Sequence, residues 1–99
     1  MTHVFRGERY RAQLKVWDWT GDHAKYAAPD KAGKIIFTVS ILPAKAPLFS
    51  AYRGGCVYYG EHLTEALNEV SPYTKISVLD AYHRLTALKS FRRFEGAHK

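Results

Sequence analysis

His62 and Glu65 stand three residues apart, as do Asp80 and His83, and Arg84 follows directly. On a helix, that spacing brings each pair onto one face. Cleavage of RNA needs a general base, a general acid and a cation for the phosphate. Asp80, His83 and Arg84, aided by a tyrosine, supply those residue types, so a small ribonuclease toxin is one reading of the chain. It requires His83→Ala to abolish cleavage. A metal site needs three or four converging ligands, and His3, His23, His62, His83 and His98 show no C-x2-C or H-E-x-x-H spacing. No phosphate-binding loop, dinucleotide fingerprint, nucleophile elbow or zinc-finger spacing occurs either, so neither metal nor cofactor is expected. The favoured expectation is a binding protein rather than an enzyme.

The stretch that most invites a binding role is "RYRAQLKVWDW", residues 9 to 19. It alternates throughout, which suits a strand better than a helix. Tyr10, Ala12, Leu14 and Val16 make an apolar face, which turns Arg9, Arg11, Lys15, Trp17 and Trp19 the other way. Cations attract phosphates, and flat rings offer stacking surfaces worth about 1–3 kcal/mol per base. The competing reading is a strand edged with cations for solubility, its tryptophans covering the end of the core. A protein interface is a third, since Trp, Tyr and Arg dominate binding hot spots. A strand with exposed tryptophans could also pair with its own copy as a homodimer.

Two further basic features accompany it. Lys89, Arg92 and Arg93, with Lys99 and Arg84 nearby, mix with Phe91 and Phe94 in "SFRRF". Cations in a last helical turn also meet the negative end of the helix dipole, which explains two of them without a ligand. Gly54-Gly55 reads as a two-residue hairpin turn between "LFSAYR" and "CVYY", or else as a loop that exposes Arg53 to a phosphate. Against these stands an acidic ridge, Glu61, Glu65 and Glu69, repeating every four residues. Like charges at that spacing repel by about 0.2–0.5 kcal/mol per pair, so basic groups should compensate them.

Elements must hold these side chains in place. A first strand is expected from about Val4 or Glu8 to Trp19, stopped by Thr20, Gly21 and Asp22. Residues 23–34 read as a loop or widened hairpin end. A second strand, "KIIFTVSIL", is rich in β-branched residues and ends at Pro43. Pro43 and Pro47 bracket a linker. "EHLTEALNEV" places Leu63, Ala66, Leu67 and Val70 at helical spacing, and Ser71-Pro72 should interrupt it. Helix resumes at Pro72 or at Ser77, where Ser77 and Asp80 resemble a capping box with Asp in place of Glu. Val78, Tyr82, Leu85, Leu88 and Phe91 then form one stripe, with Gly96 as a stop. Strands first and helices after predict an α+β fold. An antiparallel sheet of about three to four strands would be packed on one face by two C-terminal helices.

Composition bounds the rest. Ninety-nine residues, 46% hydrophobic and 14% aromatic, suit one compact domain over residues 1–99. No apolar run approaches a membrane span, and the charged opening "MTHVFRGERYR" does not resemble a secretory signal. Cys56 stands alone, so no intrachain disulfide can form, and a reducing cytoplasmic setting is expected. The net charge of +6 is segregated, with +5 in residues 1–53, −2 in 54–75 and +3 in 76–99, a pattern of two basic surfaces around an acidic element. The leading expectation is a small binding protein for nucleic acid or for a protein complex that handles it. The contacts would come from Arg9, Arg11, Lys15, Trp17 and Trp19, with Arg53, Arg92 and Arg93 as further contacts. An inhibitor of a host protein complex is the alternative, of the anti-CRISPR type encoded on phages and plasmids. For that reading the acidic ridge is an asset.

Overall fold

A computed structural model describes residues 1–45, 55–92 and 94. Its element order is β1 (Thr2–Arg6), β2 (Tyr10–Asp18), α1 (Ala24–Ala27), β3 (Ile35–Pro43), β4 (Gly55–Gly60), α2 (Leu63–Thr74), α3 (Val78–Thr86) and α4 (Lys89–Arg92). The four strands form one antiparallel sheet in the order β1-β2-β3-β4, and the helices follow the last strand, apart from the single turn of α1. The expected α+β class with an N-terminal antiparallel sheet is what the chain adopts.

The alternating stretch forms one strand, β2, which begins near the later of the two expected starts, Glu8, while the residues from Val4 belong to a separate strand, β1. The chain reverses at Gly7, whose amide donates to the Tyr10 carbonyl at 2.9 Å, and Phe5 then pairs with Ala12 and Thr2 with Lys15. Gly7 is needed for room: a Cβ there would lie 2.6 Å from the Thr74 Cα and 2.7 Å from the Tyr10 carbonyl oxygen. At its other end β2 is stopped by an Asx-turn, in which the Asp18 carboxylate accepts from both the Thr20 amide and the Thr20 hydroxyl. A bulge between Val39 and Ser40 shifts the β3–β4 register, so Val39 faces Tyr58 while Ser40 faces Cys56. The expected partner segment of β4, "LFSAYR", falls outside the described residues.

The inner face of the sheet and the helices share one core. Phe5, Leu14, Phe37 and Val39 from the strands are fully buried against Leu63, Leu67, Val70, Leu85 and Phe91. Ser71-Pro72 does not interrupt α2, which continues to Thr74. Pro72 removes one amide bond to the exposed Asn68, but the last turn also brings Val70 and Thr74 into the interior, and that burial outweighs the missing bond. The Thr74 hydroxyl donates to the Val70 carbonyl at 3.0 Å, and Lys75 closes the helix in the left-handed region at φ 64°. Ser77 then caps α3 as expected, accepting the Asp80 amide at 3.1 Å. The single stripe expected beyond it is divided. The Thr86 hydroxyl turns back to the His83 carbonyl at 3.2 Å, α3 ends, and α4 restarts as one turn that buries Phe91.

Candidate functional site

The outer face of the sheet carries the aromatic and basic side chains. Along β2 it presents Arg11, Gln13, Lys15 and Trp17, paired across to Leu42, Ser40, Thr38 and Ile36 of β3. Trp19 extends the row just past the strand, held by two backbone bonds to the returning chain: its amide donates to the Lys34 carbonyl at 3.0 Å, and its carbonyl accepts from the Gly33 amide at 2.8 Å. Both tryptophans therefore lie outside the main core. Trp17 keeps 40% of its surface exposed while covering Ile36 beside it.

Their geometry is ordered. The Trp17 indole N–H donates to the Thr38 hydroxyl at 3.2 Å, which fixes the plane of that ring. The Trp19 ring lies parallel to it, with centroids 6.3 Å apart and planes within 5°. Tyr59, opposite Thr38 on β4 and 57% exposed, supplies a third ring. Together with Lys31, Ile36 and Thr38 these rings enclose an open hollow of about 140 Å³.

Two ammonium groups lie over the rings. Lys15 Nζ is 4.9 Å from the Trp17 centroid, and Lys31 Nζ is 5.5 Å from Trp19 and 5.7 Å from Tyr59. Such contacts are worth about 0.5–1 kcal/mol where water reaches them. Lys34, from the same loop as Lys31, approaches the Glu61 carboxylate at 4.0 Å, tying the loop to the start of α2. Glu61 precedes the helix instead of opening a ridge along it, and Glu65 accepts the Tyr58 hydroxyl at 3.1 Å. Tyr58 also accepts the His62 amide at 3.2 Å. Burial raises the Tyr58 pKa; the His62 contact opposes the rise, and the Glu65 carboxylate reinforces it, so the hydroxyl remains a donor.

The residues expected to act together are dispersed. Lys15, Trp17 and Trp19 converge. Arg9 stands in the β1–β2 turn at the far end of the sheet, roughly 25 Å along the strand from Trp17 at ~3.3 Å per residue. Arg11 lies on the outer face but is only 6% exposed, flanked in register by Arg6 and Leu42. This corrects its expected place on the wet side, and a reversal of its charge would report on folding as well as on contact. Arg92 is exposed on α4, in the helical layer on the opposite side of the sheet, with its Nε directed at the Thr86 carbonyl at 3.4 Å. Arg53 and Arg93 lie outside the described residues. Lys31 and Tyr59 were not anticipated as partners of the tryptophans.

The groups considered for chemistry have other engagements. Asp80 pairs with Arg84 at 3.0 Å, and His83 lies exposed with its ring edge-on to Tyr82. His62 precedes α2 as its cap residue, without a side-chain capping bond. No group of three His, Cys, Asp or Glu side chains suited to a metal ion occurs among the described residues, and no described helix is long and apolar enough to cross a membrane. Compared with family models, curated proteins and solved structures, the chain matches none.

Proposed function

We propose that the chain binds single-stranded nucleic acid on the outer face of its sheet. Bases would stack against Trp17, Trp19 and Tyr59, and phosphates would meet Lys15 and Lys31. The observation that carries this reading is the hollow walled by three rings with two lysines over them. A lysine over an exposed ring gains less than a stacked base does, about 0.5–1 against 1–3 kcal/mol. An incoming base can therefore take the ring face while the displaced ammonium turns to the neighbouring phosphate. In a duplex the faces of the bases are covered by stacking on neighbouring base pairs, which favours single strands as the ligand.

Fluorescence anisotropy with a labelled mixed-sequence single strand tests the proposal. Trp17→Ala should weaken binding by about tenfold to a hundredfold. Replacing Lys15 and Lys31 with Glu should lower the log–log salt slope by about 1.4, the value for two phosphate contacts on a single strand. Unchanged binding in both variants would remove the outer face from recognition.

A further inference from the structure

A second aromatic and basic surface lies at the other end of the sheet, on the helical side. Tyr10 of β2 meets Tyr73 of α2 edge-to-face, with centroids 5.9 Å apart and planes at 84°. With Pro72, Glu8, Arg9 and Lys75 they line an open hollow of about 280 Å³. Glu8 and Arg9 also line an adjoining hollow of about 480 Å³ that extends to Pro43 and Lys45. Both hollows are lined by Glu8 and Arg9 of the β1–β2 turn, and the pair is termed the trough. The turn is held in place by the Ala44 amide, which donates to the Arg9 carbonyl at 2.9 Å, and by the close packing of Gly7 on Thr74.

We infer that this trough binds a short acidic peptide segment of a partner protein, with a proline or aromatic side chain seated against the two tyrosines. Charge complementarity selects the occupant. Lys75, Arg9 and Lys45 follow one another along the trough with one carboxylate, Glu8, among them. Aromatic grooves of this kind take extended or proline-rich segments; the free backbone N–H groups of such a segment need acceptors, and its acidic side chains need cations. Glu8 stands among the cations and supplies such an acceptor. The crossed tyrosine rings form a wedge-shaped seat for one side chain and offer no parallel platform for successive bases. The site is separate from the tryptophan face, so one molecule can hold a partner protein and a nucleic-acid strand together.

The test is a ¹H–¹⁵N NMR titration of the full chain with blocked acidic peptides that carry one tyrosine or proline between glutamates. Counterparts with glutamine for glutamate, and a thymidine oligonucleotide, complete the set. The acidic peptides should shift the amides of Glu8, Tyr10, Tyr73 and Lys75, and the glutamine counterparts should do so far less. Arg9→Glu and Lys45→Glu, both at exposed positions, should each weaken the acidic peptide by about fivefold while leaving oligonucleotide binding intact. A lysine-substituted peptide should regain affinity for Arg9→Glu. The inference is overturned if no acidic peptide shifts these amides, or if the glutamine peptides shift them equally. Shifts produced there by the oligonucleotide would overturn it in favour of a second nucleic-acid contact.

Discussion

The tryptophan face and the tyrosine trough are built from the same ingredients, aromatic rings beside cations, yet they present different chemistry. On the outer face the two indoles lie parallel, and lysines stand over their flat sides. In the trough the two phenol rings cross at 84°, and a glutamate stands among the cations. The difference originates in the backbone. Trp17 and Trp19 lie two residues apart on one pleated face, so their rings run side by side. Tyr10 and Tyr73 come from a strand and a helix that meet at an angle, so one ring edge meets the other's face. Residue type alone would have assigned both surfaces to the same ligand.

The largest effect that could separate the two sites is on binding. Trp17→Ala should reduce single-strand affinity about tenfold or more in anisotropy titrations and leave acidic-peptide affinity unchanged. Parallel losses would mean that the surfaces are not independent. Gly7→Ala should act the other way round. Its methyl group meets the Thr74 backbone, so stability should fall by about 1–3 kcal/mol in urea unfolding and the trough should be distorted, while oligonucleotide binding at low temperature persists. Lys75→Gly divides stability from recognition. Removing a side chain from the left-handed conformation should raise stability by about 1 kcal/mol, and peptide binding should weaken because a cation is lost. A loss of stability would show that Lys75 makes contacts that outweigh its strain.

The smallest effect concerns pH. Burial, reinforced by Arg84, holds the pKa of His3 below its ordinary value of 6.5. The unfolded chain therefore takes up the proton first. Stability from this source is complete above pH 6.5 and declines as the pH falls from there towards the lower folded pKa. Thermal unfolding followed between about pH 7 and pH 5 should show a shallower decline in His3→Gln than in the parent.

Much of this arrangement was legible in the residues. Alternation and β-branched content marked β2 and β3, the Ser77–Asp80 pair marked the start of α3, and Lys15, Trp17 and Trp19 stood out as one face. What escaped depended on contacts between distant segments. The reversal at Gly7 follows from its closeness to Thr74, and the survival of α2 beyond Pro72 follows from burial of the last turn. Lys31 reaches the rings from a loop whose path no local pattern specifies. The bulge after Val39 decides which of Tyr58 and Tyr59 turns outward. Arg11 has the alternation of its exposed neighbours and is buried nonetheless, because alternation assigns a face and does not reveal what covers it.

The most direct test of the outer face is to follow the two indole N–H resonances during titration with a short single-stranded oligonucleotide at low and raised salt. The account predicts that both resonances move at low salt and return towards their starting positions as salt is added, while the amides of Gly7 and Lys75 stay in place. Indole resonances that remain fixed at saturating oligonucleotide would contradict it.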